Sequence, residues 1–566
     1  MLNKVRSETA EGLGAILNLS VEEIESALEI PKKLDHGHLA YPVFGLAKAL
    51  RKAPPIIAQE LAQKSDELKT KLHGLKSVTA VGGYLNFTFE DSYLQDVLLK
   101  AVKEQGAKLG YSNVGSGKTV VIDYVSPNVA KPLHVGHLRA SVIGQAVRNL
   151  SETQGYKVIG LNHLGDWGVQ FGKLAWAFQN WGGEYDFANK PFQSLFELYV
   201  RFHAEAKTNP ELEKQGSQLF IKLENGDPEI KKIWQKFVDI TLVENQRILD
   251  LLGVKHDLVL GESFYNDKLK AVEKLLEDKG LLVESEGAMV VHLGDNMPPC
   301  LIRKSDGASL YATRDIASAI YRKEHLKADA NLYVVGVEQT LHFNQVFKVL
   351  ELMGFDWAKQ SHHLSFGLYR FKEGSMSTRE GRVVFLEDIL NKAIETVSKI
   401  IEEKNPNLED KATVSRQVGI GAVIFNDLVS DRVRNVDFDW EKIFNFEGDS
   451  GPYLQYCQVR CHSLIQKFGK PVPEKFSGDL VEAEERNLLR TMMNYPDVLS
   501  AAAAAYKPNV LAQYLLELAA AFNLFYNKHR IIGSPNEADR ILLVQLTGHV
   551  LKMGLKVLNI EAPKAM

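Results

Sequence analysis

The chain has 566 residues, of which 45% are hydrophobic and 24% are charged, and its formal net charge is -4. This length predicts about three or four domains, and the hydrophobic share excludes an extensively disordered protein. The small net charge provides no bulk attraction for nucleic acid, so any such binding must use a local patch. No apolar run is long enough to span a bilayer and the N-terminus lacks a signal-peptide core, so we expect a cytoplasmic protein. Three cysteines cannot build a disulfide framework, and their spacing predicts no structural zinc.

The first 111 residues predict an N-terminal α/β domain. Apolar residues recur at helical spacing between Leu34 and Lys64, and AVGGYLNFTF (80–89) is typical of a strand. The following GYSNVGSGKT is rich in glycine and serine, which predicts a boundary near Tyr111. Its GSGKT is similar to a phosphate-binding loop, but the first glycine of that pattern is missing and a strand follows. We therefore interpret it as a linker.

A strand, a loop and the start of a helix follow one another between residues 118 and 150. KTVVIDYV is a run of β-branched and apolar residues, Pro127 and Pro132 interrupt regular structure, and apolar residues then recur at helical spacing from Leu138. In doubly wound α/β folds this junction lies at the carboxyl edge of the sheet, where backbone N–H groups and the helix dipole favour phosphate. Gly136 would let a ligand approach the backbone closely.

His134 and His137 lie one helical turn apart at this helix start. A metal site is disfavoured because no Cys or Glu follows at ligand spacing. Two interpretations stay open on these residues alone. The pair could be partly buried histidines with satisfied hydrogen bonds, or imidazoles that donate to the phosphate oxygens of a nucleotide.

Further α/β elements follow, with a helical insertion between them. YKVIGLNHL predicts a second strand, and GDWGVQFGKL a glycine-punctuated turn that leads to a helix. A polar, helical insertion is expected at about residues 181–285. The α/β alternation is expected to resume at AMVVHLGD, LYVVGVEQT and LHFNQVFKVLELMG, and helices dominate from residue 435 to the end.

A Gly-flanked, Ser/Thr-rich segment, KEGSMSTREGRVV (372–384), could fold over phosphates, although the segment by itself favours a solvated surface loop. Together with HVGH (134–137), its SMSTR (375–379) resembles the two signatures of the class I aminoacyl-tRNA synthetases. Within that class the chain is similar to the arginyl-tRNA synthetases. The matching blocks are SPNVAKPLHVGHLR, NHLGDWGVQFGKL, YATRDIA, VVGVEQTLHFNQ, GDSGPYLQYCQVR and KVLNIEAPKAM.

The resemblance implies a fold and an activity. The expected fold class is α/β, with a Rossmann-like catalytic domain (112–434, insertion at about 181–285), an N-terminal α/β domain (1–111) that contacts tRNA, and an all-α anticodon-binding domain (435–566). The expected activity forms arginyl-adenylate from arginine and ATP, with Mg²⁺ sharing the phosphate charge, and passes the arginyl group to tRNA(Arg). The family is usually monomeric. Two rivals are a nucleotide-binding regulatory protein of this shape and an enzyme of the same fold that transfers nucleotidyl groups to small molecules.

The resemblance also implies site residues. The ATP-binding set is His134, Gly136, His137, Ser375, Met376, Ser377 and Arg379. Lys131 is expected to join the two histidines in catalysis, in place of the first signature lysine, where this chain has Ser375; otherwise it is a solvated lysine. The arginine-binding set is Asp123, Ser126, Asn128, His134, Tyr311, Asp315 and Gln339. No protein metal ligand is expected.

Two of these assignments have plain structural alternatives. Asp315 could be a surface acid that pairs with Arg314 or Arg322. The residues expected to bind tRNA are Tyr453, Tyr456, Tyr526 and Arg530. Their aromatic rings could stack on bases or belong to a helical core.

Overall fold

The computed structural model describes residues 3–31, 36–304, 311–371 and 384–566. The chain folds as two compact units. The first combines the N-terminal residues up to Ser112 with Val397–Phe425 and Glu441–Met566, and the second contains Asn113–Thr396 and Asn426–Trp440. Within the described ranges, no helix has both the length and the apolar character needed to cross a membrane. All three cysteines are buried free thiols.

The N-terminal part of the first unit is a three-stranded antiparallel sheet with helices, in the strand order β1-β3-β2. Its elements are α1 (Asn3–Leu17), α2 (Val21–Ala27), β1 (Leu39–Pro42), α3 (Ala47–Leu50), α4 (Pro54–Gln63), α5 (Ser65–Lys71), β2 (Leu75–Val81), β3 (Tyr84–Phe89) and α6 (Asp91–Gln105). The helical pattern expected from Leu34 is wrong at Leu39–Pro42, because these residues pair with β3. Long-range pairing overrides local spacing there.

The second unit is built on a five-stranded sheet in the order β11-β10-β4-β5-β6, with parallel neighbours throughout. The strands and helices of this unit are β4 (Thr119–Asp123), α7 (Val135–Thr153), β5 (Lys157–Asn162), α8 (Val169–Trp181), α9 (Pro191–Ala206), α10 (Glu211–Glu224), α11 (Pro228–Leu251), β6 (Leu258–Val259), α12 (Leu269–Asp278), β7 (Leu282–Ser285), β8 (Ala288–Val291), β9 (Cys300–Arg303), α13 (Tyr311–Glu324), β10 (Ala330–Tyr333), α14 (Thr340–Leu352), β11 (Ser361–His363), β12 (Tyr369–Phe371), the first half of α15 (Leu386–Lys404) and β13 (Val436–Phe438). The rest of α15 and nearly all of α16 (Lys411–Leu428) belong to the first unit.

The chain order of these strands creates a switch point beside β4. From β4 the chain adds β5 and β6 on one side, and β10 and β11 on the other. Crossover connections therefore diverge between β4 and β10, and a crevice forms outside the carboxyl ends of these two strands. Asp123 and Tyr333 end the two strands and pair in register. The carboxyl ends of β4 and β10 therefore form the sheet edge at which the site was predicted.

One strand prediction needs correction. AMVVHLGD was expected to continue the α/β alternation, but β8 lies in a separate antiparallel sheet of order β7-β8-β9. Since a short apolar run has the same local pattern in either kind of sheet, periodicity could not decide its partner. The helices α8, α10 and α11 pack around Phe171, Phe220 and Phe237, which gives the inserted helices their own core.

The first unit is completed by helices from the C-terminal region. They are α17 (Trp440–Ile443), α18 (Gly451–Phe468), α19 (Ala483–Met493), α20 (Tyr495–Ala504), α21 (Pro508–Lys528) and α22 (Glu537–Val557). Leu515, Phe522 and Leu551 are fully buried among them. The prediction that helices dominate this region agrees with the structure.

Candidate active site

The loop between β4 and α7 has an unusual backbone. Val125, Ser126 and Ala130 all have positive φ angles, of 77°, 44° and 64°. Each such conformation costs a non-glycine residue about 1–3 kcal/mol, and a β-branched valine is the least suited to it. Neighbouring backbone holds the loop: Gly165 N–H donates to Pro127 O at 2.9 Å, and Val129 N–H donates to Gly165 O at 3.1 Å. Strain of this kind is typical of functional sites.

The two histidines form a reciprocal cap at the start of α7. His134 is the N-cap residue; its Nδ1 accepts the Gly136 N–H at 3.0 Å, and its own backbone N–H donates to His137 Nδ1 at 3.1 Å. Because each Nδ1 accepts a hydrogen bond, each neutral ring carries its hydrogen on Nε2. Burial and then the charge of Lys131 lower the pKa of His134, and burial followed by His134 lowers that of His137 to about 3. Two neutral Nε2–H donors therefore stand side by side, with ring centroids 4.0 Å apart.

Gly136 is required by the same arrangement. A Cβ at this position would lie 2.8 Å from Cε1 of His134 and 3.0 Å from its Nδ1. Any side chain there would displace the His134 ring. The glycine predicted to admit a ligand therefore also protects the geometry of the imidazole.

The chain directly after the Ser/Thr-rich segment is bound to this helix start. Val135 N–H donates to Val384 O at 3.1 Å, and Leu386 N–H donates to Leu133 O at 3.0 Å. His134 and Phe385 consequently form an antiparallel bridge. Ser375, Met376, Ser377 and Arg379 themselves lie outside the described residues. Some 250 residues separate the two signatures in sequence, and the flank of the second lies on the first.

Lys131 lies close to the histidine pair. Its Nζ is 5.6 Å from the ring centroid of Tyr199, and its charge contributes to the lowered pKa of both His134 and His137. The lysine is half-buried. The surroundings of Lys131 are thus compatible with its expected position near the two histidines that would donate to phosphate.

Asp123 is an internal carboxylate at the end of β4. Its Oδ2 accepts from Arg322 Nη2 at 2.6 Å, and its Oδ1 accepts from the Ser126 hydroxyl at 2.7 Å. Burial by itself would raise the pKa of Asp123, but the charge of Arg322 and these hydrogen bonds lower it below its ordinary value. Sequence reasoning did not foresee Arg322 as this partner. The expected contact between Asp123 and arginine stays a prediction.

Tyr311 is the first residue of α13, and Asp315 lies four residues further along the same helix. Asp315 accepts a hydrogen bond from Nε2 of His342 on α14 at 2.5 Å. Arg322 pairs with Asp123 instead, so the alternative in which Arg322 neutralises Asp315 is wrong. Gln339 is exposed and precedes α14 by one residue, while Tyr311 is 63% exposed. Asn128 is also exposed, with its Oδ1 against Gly165.

A cavity of about 860 Å³ opens beside Tyr311 and contains an acid that sequence reasoning missed. Glu262 lines it and is only 9% exposed. Burial raises the pKa of Glu262 to about 7; Arg314 opposes this shift, and the charges of Asp166 and Asp315 add to it. Within the described ranges, no hydrogen bond to its side-chain carboxylate is found. The available signal was weak, because Glu262 follows a strand of only two residues at the carboxyl edge.

Asp166 supports the turn that carries Glu262. Its carboxylate accepts from the backbone N–H of Ser263 at 2.8 Å and from the Ser263 hydroxyl at 2.6 Å. Gly261 is needed for this contact, because a Cβ there would lie 2.4 Å from the Asp166 carboxylate. The GDWG block thus makes two contacts: Gly165 bonds to the strained loop after β4, and Asp166 bonds to the turn that carries Glu262.

Comparison with known proteins assigns this arrangement. A family model described as tRNA synthetases class I (R), catalytic domain, matches residues 95–440. The chain is 45% identical to an arginine--tRNA ligase of Clostridium botulinum over 562 residues, which cover 98% of this chain and 99% of the relative. The chain belongs to the arginyl-tRNA synthetase family.

Other comparisons extend this assignment along the chain. Models of the arginyl tRNA synthetase N terminal domain and of the DALR anticodon binding domain match residues 3–89 and 454–566. The Thermus thermophilus arginyl-tRNA synthetase superposes with a TM-score of 0.83 at 27% identity, covering 100% of both chains. The arginyl-tRNA synthetase of Plasmodium falciparum has the same fold, with a TM-score of 0.80 at 23% identity over 100% of this chain and 99% of the other. The expected class I fold with two flanking domains is confirmed.

The DALR-matching region of this arginyl-tRNA synthetase family member presents a small aromatic cluster. The guanidinium of Arg460 lies 4.8 Å from the ring centroids of both Tyr456 and Tyr526. Tyr453 accepts a hydrogen bond from Asn523 at 2.8 Å. Tyr456 and Tyr526 are 40% and 36% exposed.

The neighbours of this cluster divide between surface and core. Phe525 is fully buried and belongs to the helical core, whereas Tyr456 and Tyr526 are partly exposed and do not. Arg530 is exposed and donates to Ile532 O. Sequence reasoning missed Arg460, although its spacing of four residues from Tyr456 predicted a shared helix face.

Proposed function

We propose that this chain is an arginine--tRNA ligase. It activates arginine with ATP to arginyl-adenylate and transfers the arginyl group to the terminal adenosine of tRNA(Arg). The observation that carries the proposal is the reciprocally capped pair of neutral Nε2–H donors at the start of α7. Membership of the arginyl-tRNA synthetase family supports it.

The histidine pair acts on the phosphates of ATP. Neutral donors fixed in place before the reaction stabilise charge that develops on a phosphate oxygen, and they cost no rearrangement at that moment. His134 and His137 fill this role, and Gly136 keeps the first ring in place. ATP enters as its magnesium complex, in which Mg²⁺ shares the phosphate charge. Ser375, Met376, Ser377 and Arg379 complete the ATP contacts.

Lys131 supplies the cation that the second signature lacks. The chain has Ser375 where the family signature has its first lysine. A charge that already lowers the pKa of both histidines lies within electrostatic reach of the same phosphates. Because the group is a compact ammonium, it acts as a point charge on the leaving phosphates.

The guanidinium of arginine binds beside Glu262, in a cavity whose lining holds two carboxylates, Glu224 and Glu262, and three cations, Lys231, Lys304 and Arg314. A planar cation with five donors is best met by carboxylates, and Glu262, Asp315 and Tyr311 offer two carboxylates and a hydroxyl. A neutral analogue such as citrulline would leave the buried Glu262 without an ion-pair partner in the ligand, which supplies the discrimination. The remaining arginine contacts are Asp123, Ser126, Asn128, His134 and Gln339.

The tRNA binds through both ends of the chain. Tyr456 and Tyr526, with Arg460 between them, form a platform on which splayed bases can stack. Tyr453 precedes Tyr456 in α18, and Arg530 follows the C-terminal end of α21. The enzyme works as a cytoplasmic monomer.

Exchange of labelled pyrophosphate into ATP tests the proposal. Exchange should depend on arginine and on tRNA together, whereas a regulatory protein would show none and a small-molecule nucleotidyl transferase would not need tRNA. His134→Asn is the matched variant, because asparagine remains a good N-cap residue but lacks the Nε2 donor. We expect it to fold normally and to lose about 10²-fold or more of the exchange rate. Exchange that is independent of arginine would contradict the proposal.

A further inference from the structure

The first unit contains a cationic cavity of about 540 Å³. The N-terminal sheet and the start of α6 form one wall, and α19 forms the other. The residues of the first wall are Gly37, His38, Lys76, Thr88, Phe89 and Asp91. Those of the second are Ala483, Arg486, Asn487 and Arg490, and their spacing places them on one face of the helix.

The charges around this cavity are unequal. Lys76, Arg486 and Arg490 contribute three cations to its lining, and Asp91 is the single acid among the lining residues. Asp91 lies 3.8 Å from Arg486, and Lys76 pairs with Glu90 at 3.3 Å. Even with these two contacts, the lining keeps an excess of positive charge.

The pKa values of two side chains that line the cavity are lowered. Burial, and then the charges of Arg490 and Lys76, lower the pKa of His38 to about 4. Burial also lowers the pKa of Arg490. Arg490 and His38 thus lie in the sheltered part of the cavity, whereas the side chains of Lys76 and Arg486 are 56% and 47% exposed at its opening.

Neutral donors complete the lining. Nδ1 of His38 accepts the Phe89 N–H at 3.0 Å, so the neutral ring carries its hydrogen on Nε2. Thr88 contributes a hydroxyl and Asn487 an amide. Guanidinium, ammonium and neutral N–H or O–H donors around one concave space match the oxygens of a tetrahedral phosphate.

We propose that this cavity binds a phosphate group. Two sources share that chemistry: a backbone phosphate of RNA, which for tRNA rests on the proposed function, and a free phosphate such as inorganic phosphate or pyrophosphate. Occupation would hold α19 to the N-terminal sheet, because groups from both walls contact the same anion. Nothing in the aminoacylation chemistry of the second unit requires this site.

The experiment uses the full chain and removes charge from the cavity. The double variant Lys76→Met with Arg486→Gln deletes two of the three cations. Asn487→Asp adds a negative charge with almost no change in shape, and it covers the case in which the double variant misfolds. Lys552→Met is the control, because this exposed lysine on α22 does not line the cavity. Circular dichroism verifies folding.

Two binding measurements separate the sources. Affinity for a tRNA(Arg) transcript is measured over a range of salt concentrations, and binding of inorganic phosphate and of pyrophosphate by titration calorimetry. Each RNA phosphate lost should reduce the slope of log K against log salt by about 0.7–0.9. A reduction of about 0.7–0.9 in the double variant supports an RNA phosphate. At least a tenfold loss of phosphate or pyrophosphate affinity supports the free anion.

Three results would overturn the inference. The first is that the parent binds none of the probes. The second is that the variants fold and bind with the affinity of the parent. The third is that the Lys552→Met control loses as much affinity as the cavity variants. Arginine charging by the parent is measured first. If the parent does not charge tRNA, the proposed function fails, and the phosphate and pyrophosphate measurements still decide this cavity.

Discussion

Replacing Glu262 by glutamine should weaken arginine binding selectively. The side chain keeps its shape and loses its charge. In the free protein the pKa of Glu262 is raised from 4.5 to about 7, with burial as the largest cause. A shift of this size corresponds to about 3 kcal/mol, which is the cost of ionising this carboxyl in the ligand-free cavity even with the opposing charge of Arg314. A bound guanidinium offsets that cost.

The loss expected in the variant follows from the broken pair. Removing one partner of a buried ion pair costs about 3–5 kcal/mol, which equals about two to nearly four orders of magnitude in affinity. We therefore expect the KM for arginine in pyrophosphate exchange to rise at least about 10²-fold, with the KM for ATP changed less than about threefold. Parent affinity for arginine should also fall as pH decreases below about 7, because Glu262 takes up a proton; the variant should lose this dependence.

Stability should change in the opposite direction. Because the folded-state pKa lies above its ordinary value, this carboxyl contributes stability that is fully present below pH 4.5 and is lost as pH rises through about 7. At pH 8 the ligand-free variant should melt at a higher temperature than the parent, and at pH 5 the difference should shrink. A thermal shift assay at both pH values measures this. An unchanged arginine KM together with a lower melting temperature at pH 8 would refute the reasoning.

Three further predictions concern the other site residues. Lys131→Ala should slow adenylate formation by at least about 10²-fold, about 2.7 kcal/mol, in single-turnover measurements, whereas Lys131→Arg keeps the charge; equal rates for the alanine variant and the parent would end the assignment. Asp315→Asn should raise the KM for arginine far more than that for ATP, and equal effects on the two would contradict a guanidinium contact. Arg460→Ala and Tyr526→Leu should each weaken tRNA binding by about 1–3 kcal/mol without altering arginine-dependent exchange at saturating tRNA; a matching loss at saturating tRNA would indicate a folding defect instead.

Much of the strand, loop and helix that carry the histidines was predictable. Val120, Val121 and Ile122 are buried on both faces of a parallel strand, and such strands have continuous apolar runs. The prolines and the helical spacing after them marked the start of α7 to within one residue, with His134 as its N-cap. These features depend on residues a few positions apart, so the sequence carries them directly.

The errors and omissions have a common origin in long-range partners. Leu39–Pro42 pairs with a strand more than forty residues later, and β8 joins an antiparallel sheet rather than the parallel one. The strand β6 has two residues, too few to show any period. Glu262 was missed because its importance depends on that strand and on Asp166, about one hundred residues earlier.

Short stretches of the sequence were therefore enough to predict the strand, loop and helix that carry the histidines and to find the motifs that indicate a family. Backbone propensities and helix caps act over only a few residues. Tertiary structure alone brought Val384 and Leu386 to the histidine helix, paired Asp123 with Arg322, and buried Glu262 in a cavity wall. Burial and pairing depend on which distant segments exclude water from a side chain, and that is decided only when the chain has folded.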